Sequence, residues 1–343
     1  MRAEILFDSK IIPGYARFRI PGVVVCADGK LLAYCEARKT DDDWAQIDIL
    51  LRRSTDGGRS FSAPVVLVCG TEMKKTVNNP VMIAGRDGTV HFLYCVEYGL
   101  VGEGGVFYRR SADAGSTWSA PRDITDMTSP EIRNVFAPGP GHGIELINGT
   151  LFVPCWTVLK QHGREPRSHH PGSVCCLVSK DKGLTWEIGS FVPNGEVNDP
   201  NETAAAQLPD GTVALNIRDG DTHHRCCSFG SYKTASPLPD DSISALRTPL
   251  SFSPIRKLPD LPDPVCCTGM AAAGNTLYLT HCRDTNKRRN LTLEQSADGM
   301  NWQKIQVIDP GDAGYSDIAF CNDTLYVAYE KGTAVVMTTV PVL

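Results

Sequence analysis

Eleven residues with chemistry in their side chains recur at two positions of a repeated hairpin. Arg19, Asn79, His142, Glu202 and Tyr315 stand just before a first strand, and Arg38, Glu97, Trp156, Arg218, Arg283 and Glu330 just after a second strand. In a hairpin these two positions lie side by side, at the end away from the turn. Strand ends are often polar because they meet water. A set this rich in Arg, Glu and Tyr asks for more: arginines that could hold an anion, beside carboxylates and a phenol able to exchange protons.

The hairpins that carry them are spelled by their turns. These are Asp28-Gly29-Lys30, Asp87-Gly88-Thr89, Asn148-Gly149-Thr150, Asp210-Gly211-Thr212, Gly274-Asn275-Thr276 and Asn322-Asp323-Thr324, with third residues 59, 61, 62, 64 and 48 positions apart. Asn-Gly and Asp-Gly tolerate the positive φ that a tight hairpin demands. A repeat of this period predicts radially arranged hairpins: an all-β, six-bladed β-propeller whose blades each add two outer strands. The polar strand ends would then share one rim. The regular period from residue 20 to 330 favours a single domain over 1–343.

A second repeat marks the outer strands. It reads Ser-x-Asp-x-Gly-x-Ser/Thr-aromatic at residues 54–61, 111–118 and 179–186, with a copy one residue short at 296–302; the first serines are 57, 68 and 117 apart, so one blade between the third and fourth copies lacks it. The Asp accepts backbone N–H groups inside the turn, and the Gly takes the left-handed position. The aromatic is expected to pack between neighbouring units. Strand alternation puts these turns on the face opposite the rim, which assigns them to stability rather than to catalysis.

Composition limits the alternatives. Apolar residues make up 42%, enough for a sizeable core, and 34 basic against 39 acidic residues give a net charge of −5. There is no basic tract, which argues against a nucleic-acid partner. An anionic ligand must therefore be held by local arginines. No stretch approaches the ~20 apolar residues of a membrane span. The 13 cysteines include three vicinal pairs (175/176, 226/227, 266/267) but no CxxC or zinc spacing. They read as buried thiols of a reducing compartment, so the expected location is cytoplasmic or, if a signal peptide has been removed, secreted or periplasmic. Oligomeric state is not legible.

The boxes, together with Phe18-Arg19-Ile20-Pro21 near the N-terminus, resemble the sialidase (exo-α-sialidase, neuraminidase) family of six-bladed propellers, over nearly the whole chain. The resemblance implies roles residue by residue. Arg19 is similar to the first of three arginines that clamp the sialic acid carboxylate. Arg218, in Leu215-Asn216-Ile217-Arg218, matches the second. Arg288, in Arg288-Arg289-Asn290-Leu291, is chosen as the third, with Arg283 and Arg289 left open. Glu330 matches the glutamate that orients the first arginine. Arg38 and Asp43 match a further arginine near the sugar O4 and the acid/base aspartate. Tyr315 matches the nucleophile and Glu202 its partner. Asn79 stands where many members carry an acidic residue, which leads to an expectation of an acyl pocket polar enough for N-glycolyl as well as N-acetyl groups.

The implied chemistry is consistent with these side chains. Planar, permanently charged guanidinium groups fork onto a carboxylate. That carboxylate sits on the reacting carbon, so a neutral phenol suits the nucleophile better than an anion does. A phenol with a pKa of about 10 needs a base, which Glu202 would supply. Asp43 would serve as acid and then base. The expected activity is retaining hydrolysis of terminal sialic acids from sialylated glycans, with no metal or organic cofactor. The alternatives are a trans-sialidase or intramolecular trans-sialidase using the same residues, and a non-catalytic glycan-binding propeller. Residues 157–172 could overhang the rim or form a surface loop, and His169-His170 and His223-His224 read as solvated loop.

Overall fold

The turn pairs close hairpins where the sequence puts them. Gly29, Gly88, Gly149 and Gly211 have φ of 81–89°, and the preceding Asp or Asn side-chain oxygen accepts the N–H of the following residue at 2.9–3.2 Å. In the sixth turn Asn322 and Asp323 take φ of 47° and 56°, the pair of left-handed residues a two-residue hairpin needs. The computed structural model describes residues 3–97, 104–127, 135–158, 167–232 and 250–342.

Six sheets result, each a blade of a β-propeller. The first blade runs outward through Arg17–Val25, Leu31–Arg38, Ile47–Ser54 and Val65–Val68. The sixth comprises Ser316–Cys321, Thr324–Lys331 and Ala334–Pro341 and takes its outermost strand, Glu4–Phe7, from the N-terminus, which closes the ring. Each blade is built on the four-stranded antiparallel meander expected. The second, third and fourth carry a short fifth strand; in the second it is Gly141–His142, paired parallel to Val77–Ala84.

The core is divided among the blades. Six apolar clusters each fill the space between two neighbours. Strand alternation explains the vicinal cysteines: Cys175 faces the cluster shared with the second blade, and Cys176 the one shared with the fourth. All 13 cysteines are free thiols, and only Cys69 and Cys321 are not fully buried.

The box repeats are closed hydrogen-bonded turns. Asp56 accepts from Ser54 Oγ (2.8 Å), Ser60 N (2.9 Å) and Ser60 Oγ (2.6 Å), and Ser54 Oγ accepts from Gly58 N (2.8 Å). The copies at Asp113 and Asp181 repeat this pattern. In the short fourth copy Asn301 Nδ2 replaces the hydroxyl and reaches Asp298 at 2.7 Å. Phe61, Trp118, Trp186 and Trp302 each pack into the cluster shared with the preceding blade. The register of the first blade pairs Leu31 with Ser54 at the box end and Arg38 with Ile47 at the other, so boxes and rim lie at opposite ends of the strands.

Candidate active site

The rim residues do not simply end their strands; bulges aim several of them. The innermost strands of the first, second and fourth blades lose register at Arg19/Gly22, Asn78/Val81 and Pro200/Thr203. At the first two the chain passes through a left-handed residue, Ile20 at φ 55° and Asn79 at φ 51°. A β-branched residue there is strained and persists only where its surroundings hold it. Here buried carboxylates from the neighbouring blade do so. Glu330 Oε1 accepts from Ile20 N at 3.0 Å and from Arg19 Nε at 3.1 Å. Glu36, in the next blade, accepts from Asn79 N at 2.9 Å and from Arg38 Nε at 2.9 Å. The two carboxylates do one job twice: each pins a bulge and orients an arginine.

Tyr315 stands at the centre. Its hydroxyl donates to Glu202 Oε1 at 2.8 Å and accepts from Arg218 Nη1 at 2.6 Å, and the same guanidinium pairs with Glu202. The guanidinium carbons of Arg19, Arg288 and Arg218 lie 5.0, 5.1 and 6.0 Å from the ring centroid. Burial pushes the phenol pKa up. Arg218, Arg288 and Arg19 oppose that and Glu202 reinforces it, and the net shift is upward. At rest the oxygen is therefore a neutral phenol with its proton pointed at a carboxylate. Burial works against the charge of Arg19, but the neighbouring carboxylates of Glu330 and Asp43 favour it, and the net shift is upward, so the guanidinium stays charged. Arg288 is held by the Val265 carbonyl at 2.9 Å.

Asp43 faces this group from the loop after Leu31–Arg38. It pairs with Arg38 and lies 3.6 Å from Arg19 Nη1. Burial raises its pKa, but Arg38, Arg19 and His169 more than offset that, and the carboxyl sits below its ordinary value. The arrangement thus offers an anion clamp, a phenol with a base in contact, and a separate carboxyl able to carry a proton.

One pocket of about 160 Å³ is lined by Arg19, Arg38, Asp43, Asn79, Glu202, Arg218, Arg288 and Tyr315. Glu330 stands behind Arg19 rather than in the lining. Among the three candidate arginines only Arg288 lines it. Arg283 pairs with Glu294, and Arg289 reaches Asp284 at 2.6 Å. The rim does not gather every residue of its set. His142 lies in a separate cavity in the centre of the ring, bound to Asp317 at 2.7 Å, and Glu97 bonds Thr76 N at 2.8 Å.

The solvated-loop reading fits His170, whose side chain is largely exposed, and is corrected for His169. Both line the pocket; His169 packs 5.4 Å from the Trp44 ring and 5.5 Å from Trp156, and His170 reaches Asp199 at 2.5 Å. Packing against two indoles, which sequence spacing does not report, is what draws His169 inward. Residues 159–166 of that segment lie outside the described residues. Glu36 was missed, although a signal existed: it stands six residues after the third turn residue Lys30, as Arg218 does after Thr212 and Glu330 after Thr324. Among the described residues no group of three or more His, Cys, Asp or Glu side chains could hold a metal ion, and no helix is long and apolar enough to cross a membrane.

The BNR repeat-like domain family matches residues 23–327. A sialidase of Micromonospora viridifaciens is 30% identical across 94% of this chain, which spans about half (51%) of that relative's length. Sialidase-2 of Cricetulus griseus is 27% identical over 93% of this chain and 87% of its own. Among solved structures the Hadza microbial sialidase Hz136 superposes with a TM-score of 0.80 at 22% identity, covering 96% of this chain and 66% of that one, a likeness of fold.

Proposed function

Because this chain belongs to the sialidase family of glycoside hydrolases, we propose that it is a retaining exo-α-sialidase that cleaves terminal sialic acids from glycoconjugates through a tyrosyl intermediate. The observation that carries the proposal is the Tyr315–Glu202 hydrogen bond of 2.8 Å inside a ring of three guanidinium groups. Nothing structural in a propeller requires that arrangement.

The carboxylate on the anomeric carbon binds Arg19, Arg218 and Arg288, each charge-assisted hydrogen bond contributing about 1.5–3 kcal/mol. Tyr315 oxygen attacks that carbon while its proton passes to Glu202. The glycosidic C–O bond breaks, and the leaving oxygen takes the proton of Asp43. In the second half Asp43 removes a proton from water, whose oxygen attacks the same carbon. The tyrosyl C–O bond breaks, and the phenol recovers its proton from Glu202. Two displacements give net retention, by the tyrosine route that departs from the usual pair of carboxylates.

Asp43 must hold a proton to act, yet Arg38 and Arg19 favour its anion. Substrate relieves part of this conflict, since its carboxylate takes up the charge of Arg19 and the leaving sugar excludes water from a carboxyl that is 44% exposed. Asn79 lines the pocket as an uncharged amide, and on that basis we infer that N-glycolyl and N-acetyl forms are both accepted. Competing the two on one aglycone tests this, and a strong N-acetyl preference removes it. The activity is tested by fluorophore release from an aryl α-sialoside, with the anomer of the first product read by NMR. Early α-sialic acid supports the proposal. Early β-product contradicts retention, 2,7-anhydro product indicates intramolecular transfer, and inactivity on several sialosides favours a binding propeller.

A further inference from the structure

The proton donor sits on a loop, and a loop must be held. Residues 39–46 leave the first blade after Arg38 and return at Ile47. Their internal ties are few: Trp44 N donates to Asp42 Oδ1 at 2.9 Å, and Ala45 N to Asp42 O at 3.3 Å. Arginines of the first blade take the loop's carboxylates, Arg17 that of Asp41 and Arg38 and Arg19 that of Asp43, whereas the backbone from Asp43 to Ala45 is held from the second blade. Thr76, 2% exposed, stands just before Val77–Ala84, and its Oγ1 lies 2.7 Å from Trp44 O and 2.8 Å from Ala45 O. One hydroxyl proton is shared between two carbonyls, a three-centre bond. Asn78 Nδ2 reaches the next carbonyl back, Asp43 O, at 3.3 Å. Three successive carbonyls of the loop thus accept from side chains of one neighbouring strand.

A second set of contacts returns to the same point. Thr76 N donates to Glu97 Oε1 at 2.8 Å, Glu97 Oε2 lies 3.9 Å from Arg167 Nη2, and the Arg167 guanidinium sits 4.9 Å from the Trp44 ring centroid. The path Trp44–Thr76–Glu97–Arg167–Trp44 is closed, so Trp44 is gripped by its carbonyl and by its ring.

We propose that Thr76 is a positioning residue for the proton donor: its hydroxyl, fixed by this closed path, holds the Trp44 and Ala45 carbonyls so that Asp43 stays over the pocket. The inference rests on the reading of Asp43 as the general acid. Without the hydroxyl both carbonyls turn to water and the loop gains freedom at the residue next to Asp43. An error of about 1 Å in a reacting group costs on the order of 100-fold in rate. The cost is confined to substrates whose leaving group needs a proton.

The test compares sialyl-lactose, whose sugar leaving group needs acid help, with an aryl sialoside, whose phenolate leaves without it. Thr76→Val, close to isosteric, is expected to lose roughly 10- to 100-fold in kcat/KM on sialyl-lactose and under about threefold on the aryl sialoside. Thr76→Ser keeps the hydroxyl and restores the wild-type ratio. If Thr76→Val does not fold, Thr76→Ala, which adds no buried methyl in place of the hydroxyl, must give the same split. Equal losses on both substrates, no loss, or failure of Thr76→Ser to restore the ratio overturns the positioning role. Wild-type inactivity, or an Asp43→Ala variant whose loss ignores the leaving group, overturns the reading beneath and this inference with it.

Discussion

Lowering the charge of Asp43 should be visible as a pH profile that depends on the leaving group. Burial raises the Asp43 pKa, but Arg38, Arg19 and His169 outweigh it and hold the carboxyl below its ordinary value. Even an ordinary aspartate, pKa about 3.9, is protonated in fewer than about one molecule in a hundred at pH 6, and Asp43 less often still. A general acid works only in its protonated form, and kcat/KM reports the free enzyme. Above the carboxylate range, then, kcat/KM on sialyl-lactose should fall about tenfold per pH unit, or about 100-fold from pH 5.5 to 7.5. On an aryl sialoside the first displacement needs no proton, so the fall should be much shallower. Asp43→Ala should lose about 100- to 10,000-fold on sialyl-lactose and abolish its slope, with only a few-fold loss on the aryl compound. Steady-state kinetics on both substrates across that range are the assay. A flat sialyl-lactose profile, or equal losses on both substrates in Asp43→Ala, would refute the assignment.

Other perturbations reach the remaining parts. Arg19→Ala or Arg288→Ala should each cost about 1.5–3 kcal/mol of binding to the 2,3-unsaturated sialic acid analogue, roughly 10- to 150-fold in Kd; calorimetry showing unchanged affinity would remove that arginine from the clamp. Asp56 is held at about pKa 2 by Ser60 and Ser54, below its ordinary 3.8. A depressed carboxyl stabilises the fold above its unfolded pKa and loses that contribution as pH falls through the folded one. Asp56→Ala should therefore lower Tm at pH 7 but leave it close to wild type near pH 2, with kcat unchanged; a loss of kcat without a Tm change would contradict the structural role. Native protein should expose at most Cys69 and Cys321 to a thiol reagent, and all 13 cysteines after denaturation, because burial covers the rest and pushes thiols such as Cys176 up to about 12. Rapid labelling of more than two native thiols would contradict the packing.

Sequence revealed most where signals are local. Asp-Gly and Asn-Gly turns announce hairpins because their backbone geometry admits few other residues, and the boxes are hydrogen-bonded within eight residues or fewer. Arg19, Arg218 and Tyr315 were findable because each lies at a strand end next to a recognisable pattern. Glu36 shares its offset from the turn with Arg218 and Glu330, but that offset does not report its work, which is done across a blade boundary on a bulge at Asn79. Choosing among Arg283, Arg288 and Arg289 needed the lost register and positive φ at Asn290, which turn neighbouring arginines in different directions. Thr76 and His169 act through contacts with Trp44, a residue more than 30 positions away from Thr76, so their roles belong to packing rather than to spacing.

The central claim is that Tyr315 forms a covalent bond with the sugar. The direct measurement is to trap the protein with 2,3-difluorosialic acid, whose fluorine slows breakdown of the intermediate, and to locate the added mass by peptide mapping. The account predicts one adduct per chain, on Tyr315, that disappears in Tyr315→Phe and resolves slowly to free protein. An adduct on any other residue, or no adduct from protein that hydrolyses sialosides at the same pH, would contradict it.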